Sequence, residues 1–271
     1  MAQLPDYLLG VNQRELDRLR FQHGVWKGVT DGFLDRIGVK PGWKCLDVGG
    51  GPGFVAMDLR DRVGESGEVT VLEPSDFYLA WLTAEAQRRG WKNVHALPGT
   101  SESARLTERT YDLIFSRWVI GFVPSPEKFL APLFSALRPG GVIALQDYVY
   151  EGLSLFPQGG AFDRMADAVR AYWRSGGGDP YVGASVPTIF RKHGIALTDY
   201  SPHCLAGGNT SGVFEWAHRF FTVHIHHMVE KKVLSPEEGE AMLQDWLAHK
   251  ENPETVFVSP IVMDMAGTRP V

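Results

Sequence analysis

The sequence lacks the features that are typical of disulfide-rich, membrane-spanning, secreted and repeat proteins. It has only two cysteines, Cys45 and Cys204, in 271 residues, which is too few for a disulfide framework. No apolar run approaches the roughly 18 residues that a membrane span needs. The first twenty residues lack the basic-then-apolar layout of a secretory signal, and no repeat or low-complexity segment occurs. We therefore expect a cytoplasmic protein without a membrane span.

The sequence also lacks a large net charge of either sign. The formal net charge is −5 and no cluster of Lys and Arg forms a basic patch, so we expect no nucleic-acid partner. No Cys or acid lies at ligand spacing from the histidines, so we expect no metal site. Aromatic residues, in contrast, are plentiful, with 8 tryptophans and 15 phenylalanines. Many lie in the C-terminal half, where they either line an apolar ligand cavity or fill a core.

Predicted strands and helices alternate through the middle of the chain. This alternation indicates right-handed βαβ crossovers and therefore an α/β fold with a doubly wound, mainly parallel sheet. Near-continuous apolar runs such as 111–115 are typical of strands covered on both faces. The predicted strands are 43–48, 68–72, 93–97, 111–115 and 142–147, and the predicted helices are 54–62, 76–89, 101–107 and 126–137.

The flanking segments differ in character. Asn12 and Glu15 form a capping box that opens a first helix, and Thr30 is predicted to cap a second. After residue 150 we predict helices at 162–173, 186–193, 212–232 and 236–249, and strands at 195–200 and 256–265. We expect one compact domain in three parts: N-terminal lid helices (1–38), a cofactor-binding core (39–150), and substrate cap helices with the last two sheet strands (151–271).

A glycine-rich turn follows the first predicted strand, in the stretch Asp47-Val48-Gly49-Gly50-Gly51-Pro52-Gly53. Glu73 ends the next strand, twenty residues past Gly53. Such a turn lets backbone approach a ligand, and the acid is placed to accept ribose hydroxyl protons. Gly51, Gly53 and Ala56 also satisfy the dinucleotide G-x-G-x-x-A pattern, which is a weak signal alone. The turn predicts a nucleotide-containing ligand.

Together with the turn Leu137-Arg138-Pro139-Gly140-Gly141, this stretch resembles the class I S-adenosylmethionine-dependent methyltransferases. The resemblance covers residues 40–150 and 186–201, with the strand 256–265 as the usual ending, and is strongest to the small-molecule branch that includes ubiquinone and menaquinone methyltransferases. It implies a Rossmann-like seven-stranded sheet, an N-terminal lid helix, a helical cap inserted before the last strand, and S-adenosylmethionine as cofactor. Methyl transfer to O, N or C of a small, partly apolar acceptor is expected. A cyclase or isomerase that binds the cofactor without methyl transfer, and a non-enzymatic ligand-binding module, stay open as alternatives.

The resemblance also implies roles for residues at the cofactor. Gly49, Gly51 and Gly53 would run along its amino-acid part, with Asp47 holding the loop or reaching the ammonium, and Glu73 would accept from the ribose hydroxyls. The other implied contacts are Pro74, Ser75 and Phe77 near the adenine, the backbone carbonyls of Ser116 and Arg117 near the sulfonium, and Tyr7, Arg14, Arg18 or Gln22 from the lid over the carboxylate.

One position departs from the family pattern. Members often carry an Asp after the third strand that binds the adenine amino group, and Thr100 occupies that position here. The adenine contact is therefore expected from Thr100, from a backbone group or from Ser101.

The absence of two sequence motifs narrows the class of acceptor. Ser116-Arg117-Trp118-Val119 is not the Asn/Asp-Pro-Pro-Tyr/Phe motif of amino-group nucleic-acid methyltransferases, and neither cysteine follows a proline as in cytosine C5 enzymes. A small acceptor is therefore expected, over the carboxyl ends of the strands. The expected wall residues are Trp118, Phe122, Tyr148, Tyr150, Phe156, Tyr172, Trp173, Trp216 and Phe220.

A general base is needed only for an acceptor that carries a proton at neutral pH. His224 lies on the apolar face of its predicted helix and is the first choice, followed by His203 and His227. An apolar setting would keep such a histidine neutral. The alternative for each of the three is a structural, hydrogen-bonded histidine in the core. The apolar C-terminal half is compatible with a homodimer.

Overall fold

The computed structural model describes residues 12–271 and shows an α/β fold built on one large sheet. The helices are α1 (Gln13–Ile37), α2 (Phe54–Val63), α3 (Asp76–Arg88), α4 (Pro126–Ala136), α5 (Met165–Ser175), α6 (Val182–Lys192), α7 (Gly212–Glu230) and α8 (Pro236–Glu251). The strands are β1 (Lys44–Val48), β2 (Glu68–Glu73), β3 (Val94–Pro98), β4 (Tyr111–Arg117), β5 (Leu137–Val149), β6 (Ser154–Phe156), β7 (Ala196–His203), β8 (Ala206–Gly208), β9 (Val256–Val258) and β10 (Ile261–Thr268).

The large sheet has seven strands in the order β3-β2-β1-β4-β5-β10-β7. The five strands from β3 to β5 are parallel, and β10 runs antiparallel to both of its neighbours. Chain order reverses between β1 and β4, whose carboxyl ends therefore border the crevice where α/β sheets bind ligands. The predicted fold class, a mainly parallel seven-stranded sheet, is confirmed, and the glycine turn after β1 lies at this crevice.

The two sides of the sheet carry different helices. On one side Phe33 and Leu34 of α1 pack with Leu59 of α2 against buried strand residues. On the other side Leu133 of α4 and Phe190 of α6 belong to a second core cluster. Helices on both sides explain why the central strands are apolar along nearly their whole length.

The N-terminal segment forms one helix where two were predicted. Asn12 does cap it, because its side chain accepts from the Glu15 N–H at 2.9 Å. Thr30, however, is fully buried within the 25-residue α1, and its hydroxyl donates to Gln146 Oε1 at 2.7 Å. The prediction that Thr30 begins a second helix was wrong, because this tertiary bond satisfies the hydroxyl inside the helix. Gly38 ends α1 with a φ of 71°.

Two further elements differ from prediction. The predicted helix at 101–107 is a series of turns without a helix. The predicted strand at 256–265 divides into β9 and β10 around Pro260, which has no N–H to donate to a ladder. β9 leaves the main sheet and pairs antiparallel with β6 and β8 in a separate three-stranded sheet.

The cap around α5, α7 and α8 has its own aromatic core. Trp246 of α8 stacks on Phe214 of α7, with 4.5 Å between ring centroids, and both contact Phe257 of β9. Ser235 and Glu238 form a capping box at the start of α8. In the chain from residue 12 onward, no helix is long and apolar enough to cross a membrane.

Candidate functional site

A cavity of about 960 Å³ opens beside the carboxyl ends of the central strands. The glycine loop and Glu73 lie at one end, and aromatic side chains from β5, α5 and α7 lie at the other. The α1 residues Arg18 and Gln22 also contribute to its wall. The same cavity therefore joins the predicted cofactor end to the predicted acceptor end.

The glycines of the loop have different tasks. Gly49, Gly51 and Gly53 all have positive φ, which side-chain-bearing residues rarely adopt. A Cβ at Gly51 would meet nothing within 4 Å, so this glycine presents bare backbone to the cavity, and Gly49 also lines it. A Cβ at Gly53 would lie 2.6 Å from Leu82, and Gly53 is not among the lining residues. Gly53 therefore permits close packing of α2 on α3 rather than contact with a ligand.

Glu73 ties the loop to the end of β2. Its Oε2 accepts from the Gly51 N–H and its Oε1 from the Ser75 N–H, both at 3.0 Å. Burial raises the pKa of Glu73, while these two hydrogen bonds lower it. Since a carboxylate has about four acceptor positions, Glu73 keeps capacity for ribose hydroxyls.

Asp47 lies beneath the loop and is almost fully buried. Burial raises the pKa of Asp47 to about 7, and the nearby Arg117 cation opposes this shift. Its Oδ2 has no hydrogen-bond partner in the described part of the chain. A cationic ligand group beside Asp47 would stabilise the ionised form.

The turn after β3 distinguishes the two side chains that were expected to contact the adenine, Thr100 and Ser101. The Thr100 hydroxyl is engaged by Ser103, with 3.1 Å between their oxygens. Ser101 also lines the cavity, and its buried Oγ has no partner within residues 12–271. This arrangement favours Ser101.

Two further predicted cofactor contacts, Phe77 and Ser116, do not line the cavity. Pro74 and Ser75 line the cavity, but Phe77 points outward and is 41% exposed, so Tyr78 occupies the wall beside them. The Ser116 hydroxyl donates to the Val48 carbonyl at 2.9 Å and links β4 to β1 behind the wall. Arg117, in contrast, lines the cavity.

Most of the predicted aromatic wall is brought together at the far end. Trp118 has a φ of 55°, and its ring stacks with Tyr148 at 6.2 Å between centroids. Tyr172 and Phe156 are the two exceptions, because the Tyr172 ring packs beside His224 and Phe156 is exposed. The predicted acceptor residues that line the cavity are Trp118, Phe122, Tyr148, Tyr150, Trp173, Trp216 and Phe220.

Sequence reasoning missed several lining residues. Phe257 reaches the cavity from β9, because this part of the predicted strand 256–265 leaves the main sheet and pairs with β6 and β8. Phe221 follows Phe220 on α7 and lies on the helix face that apolar spacing assigns to the interior. Val119 and Leu153 are further examples.

Comparison with known proteins identifies the family. The family model for a methyltransferase domain matches residues 39–174. The chain belongs to this family. It is a class I S-adenosylmethionine-dependent methyltransferase, and S-adenosylmethionine is its cofactor.

Individual methyltransferases show how far the likeness extends. The chain is 24% identical over 196 residues to a demethylmenaquinone methyltransferase of Lactococcus lactis, covering 67% of this chain and 76% of that protein. It is 30% identical over 136 residues to a ubiquinone/menaquinone biosynthesis C-methyltransferase of Cronobacter sakazakii, covering 49% of this chain and 53% of that protein. The chain thus spans only about half the length of the latter relative. A structure of a putative methyltransferase from Bacillus halodurans superimposes with a TM-score of 0.62 at 17% identity, covering 89% of this chain and 98% of the other.

The residues at the loop end fit the cofactor of this methyltransferase family. Asp47 offers a buried carboxylate to an ammonium group, and Glu73 has spare acceptor positions for a ribose. Gly51 leaves open space where a side chain would project, and Ser101 has an unused hydroxyl. These observations agree with the amino-acid, ribose and adenine parts of S-adenosylmethionine.

The three predicted base histidines all lie outside the cavity wall of the methyltransferase. His224 is buried, its Nδ1 lies 2.8 Å from the Phe220 carbonyl, and its ring stacks on Phe220. Burial lowers the pKa of His224 to about 3. His203 Nε2 lies 2.7 Å from Asp264 at the β7–β10 border, and His227 contacts His224. Helical spacing located the buried face correctly, but that face meets α5 instead of the acceptor.

The α1 residues form part of the roof. Arg18 makes a bidentate pair with Glu15 at 2.7 Å, and Gln22 Oε1 accepts from Trp216 Nε1 at 3.0 Å. Arg14 is exposed, and Tyr7 lies outside the described residues. Of the proposed lid contacts, Arg18 and Gln22 are therefore the ones at the wall. Within residues 12–271 no group of three or more His, Cys, Asp or Glu residues is arranged to hold a metal ion.

Proposed function

We propose that this methyltransferase transfers a methyl group to O, N or C of a small, partly apolar aromatic acceptor, with carbon favoured. The observation that carries the proposal is the single cavity that joins Glu73 and the glycine loop to the aromatic wall. A wall of aromatic rings suits a planar acceptor, because rings stack in offset or edge-to-face contact. The names of the relatives, a demethylmenaquinone methyltransferase and a C-methyltransferase, support carbon as the acceptor atom.

When bound, S-adenosylmethionine supplies a methyl group already activated on a sulfonium. The chain has to position the two reactants and exclude water, and these contributions need no acid or base. Asp47, Glu73 and Ser101 would hold the cofactor at the loop end. Trp118 and Tyr148 would orient the acceptor, and the α1 residue Gln22 helps to close the cavity through Trp216.

The acceptor end supports a nucleophile that needs no histidine. The predicted bases His224, His203 and His227 do not line the cavity. The acidic lining residues, Asp47, Glu73 and Glu102, lie in the loop, at the end of β2 and after β3. An electron-rich ring carbon, or an oxygen that arrives ionised, meets this requirement.

Calorimetric titration with S-adenosylhomocysteine tests the cofactor end. We expect micromolar binding by the intact protein and a loss of about tenfold or more in Glu73→Ala, because hydrogen bonds to a charged group are removed. Glu68→Ala is the matched control, since Glu68 begins the same strand and lies outside the cavity. Failure of the intact protein to bind would overturn the proposal.

The acceptor can be found with S-adenosylmethionine that carries a deuterated methyl group. Incubation with a panel of phenols, hydroquinones and aromatic amines, followed by mass spectrometry, should show a labelled product. An isomeric product without label would instead identify a cyclase or isomerase. Cofactor binding with no product from any compound class would favour a ligand-binding module.

The remaining expectations about partners need separate measurements. Most aromatic residues of the C-terminal half pack into an internal core, so they give little support to a homodimer. Light scattering would determine the oligomeric state. The absence of a nucleic-acid partner and a cytoplasmic location stay predictions from charge and from the two free cysteines.

A further inference from the structure

Arg117 stands out among the charged residues of the cavity. It ends β4, lines the cavity, and has no carboxylate oxygen within 4.0 Å of its guanidinium in the described part of the chain. Arg18, the other arginine at the wall, is already paired with Glu15. Burial lowers the pKa of Arg117 to about 10, so it stays a cation at neutral pH.

Two side chains within residues 12–271 hold the guanidinium by polar contacts, and its Cζ lies 4.7 Å from the centroid of the Trp118 ring. Nη1 donates to Thr30 Oγ1 at 2.9 Å, and Nη2 lies 3.1 Å from His23 Nδ1. Because arginine can only donate, His23 Nδ1 accepts and its Nε2, 3.3 Å from Asp58 Oδ2, carries the proton. A guanidinium has five N–H groups, so these bonds leave donors for a further partner.

Thr30 extends this contact across the sheet. Its hydroxyl donates to Gln146 Oε1 at 2.7 Å, and Gln146 Nε2 donates to Asp264 Oδ1 at 2.6 Å. All three residues are fully buried, on α1, β5 and β10 respectively. We call Arg117, Thr30, Gln146 and Asp264 the polar chain.

Every bond in the polar chain has one permitted direction. Arg117 can only donate and the Asp264 carboxylate only accepts, so the Thr30 proton and the Gln146 amide orientation are determined between them. At the far end Asp264 Oδ2 also accepts from Arg36 Nη2 at 2.7 Å and lies 2.7 Å from His203 Nε2. The direction of the Arg117 N–H groups is thereby fixed by residues that do not touch the cavity.

We propose that Arg117 binds an anionic oxygen group in the cavity and that Thr30, Gln146 and Asp264 are positioning residues for its guanidinium. This inference rests on the proposed function, which supplies two sources of such a group. One is the carboxylate of the cofactor, and the other is an ionised oxygen of the acceptor. An arginine that makes no ion pair within residues 12–271 and keeps N–H donors available is suited to either.

Thr30→Val and Thr30→Ser form the matched test pair. Valine keeps the shape and removes the hydroxyl, whereas serine keeps the hydroxyl. Calorimetry is done with S-adenosylhomocysteine, with methylthioadenosine, which lacks the carboxylate, and with 4-nitrophenolate in the presence of saturating S-adenosylhomocysteine. Nitrobenzene is the neutral control for 4-nitrophenolate.

We expect Thr30→Val to weaken binding of one anionic probe by about tenfold, as Arg117→Met does, and Thr30→Ser to retain it. Loss for S-adenosylhomocysteine but not for methylthioadenosine assigns Arg117 to the cofactor carboxylate. Loss for 4-nitrophenolate but not for nitrobenzene assigns it to the acceptor.

Two outcomes overturn the proposal: equal losses in the valine and serine variants, or no loss with any probe in Thr30→Val and Arg117→Met. Thermal unfolding confirms that each variant is folded, and Gln146→Met replaces Thr30→Val if the latter is not. Absence of S-adenosylhomocysteine binding in the unaltered protein would instead contradict the proposed function.

Discussion

The backbone N–H of Gly51 donates to the carboxylate of Glu73 at 3.0 Å, across the gap between the glycine loop and the end of β2. The acid expected to bind a ribose thus also sets the position of the loop expected to follow the cofactor. A change at either residue will therefore affect both.

Gly51→Ala should reduce cofactor affinity in addition to stability. A left-handed alanine costs about 1–2 kcal/mol, and the added methyl group would occupy open space beside the loop. Calorimetry with S-adenosylhomocysteine should show a loss of about tenfold or more. Gly38→Ala is the control, because Gly38 has a similar φ and equally open surroundings but ends α1 away from the cavity. Equal affinity losses in both variants would refute a direct role for Gly51.

Asp47→Asn should flatten the dependence of stability on pH. The pKa of Asp47 rises from 3.8 to about 7 on folding, so between these values the folded state retains a proton that the unfolded state loses. The free energy of unfolding should therefore fall as pH rises through this window, by up to about 4 kcal/mol at ~1.4 kcal/mol per pH unit. Urea unfolding at several pH values measures this slope. Asp61→Asn, at an exposed position on α2, should leave the slope unchanged.

Ser101→Ala should weaken cofactor binding, and Thr100→Val should not. Ser101 has an unused hydroxyl at the wall, whereas the Thr100 hydroxyl is bound by Ser103. Loss of one neutral hydrogen bond of ~1 kcal/mol corresponds to roughly fivefold in affinity for S-adenosylhomocysteine. The reverse order of effects would move the adenine contact to Thr100.

His224→Gln should leave cofactor binding and methyl transfer unchanged. Burial lowers the pKa of His224 to about 3, so the ring is neutral throughout the working range. Its contribution to stability is present above pH 6.5, the unperturbed value, and is lost as pH falls toward 3. Proton NMR of the imidazole should show no titration above about pH 4. A pH–rate inflection that disappears in His224→Gln would restore this residue as the base.

The sequence predicted the half of the fold that is governed by local pattern. Short stretches of sequence are enough to predict the alternation of apolar strands and helices, the loop at Gly51 and the acid at Glu73. The elements that were predicted wrongly depend on distant partners. Thr30 is a residue type typical of a helix cap, but its hydroxyl donates a hydrogen bond to Gln146, which is 116 residues away. β9 consists of three residues and exists because β6 and β8 pair with it.

The site shows the same division between local pattern and tertiary packing. Seven of the nine aromatic residues that the sequence predicted for the acceptor wall do line the cavity, because they end strands at the crevice or share a helix face. Tyr172 and His224 also share buried helix faces, but those faces pack against each other. Which of two buried faces meets a cavity is decided by how the helices are placed.

The helix α1 is about 37 Å long at 1.5 Å per residue and is attached at several points along that length. Gln22 bonds α7, Lys27 bonds Asp58 of α2, Thr30 bonds β5, and Arg36 bonds β10. Because α1 is attached at both halves of its length, we expect it to stay in place and not to open as a hinged lid. We therefore expect ligands to enter and leave past other parts of the rim, such as residues 99–103, which contain neither helix nor strand.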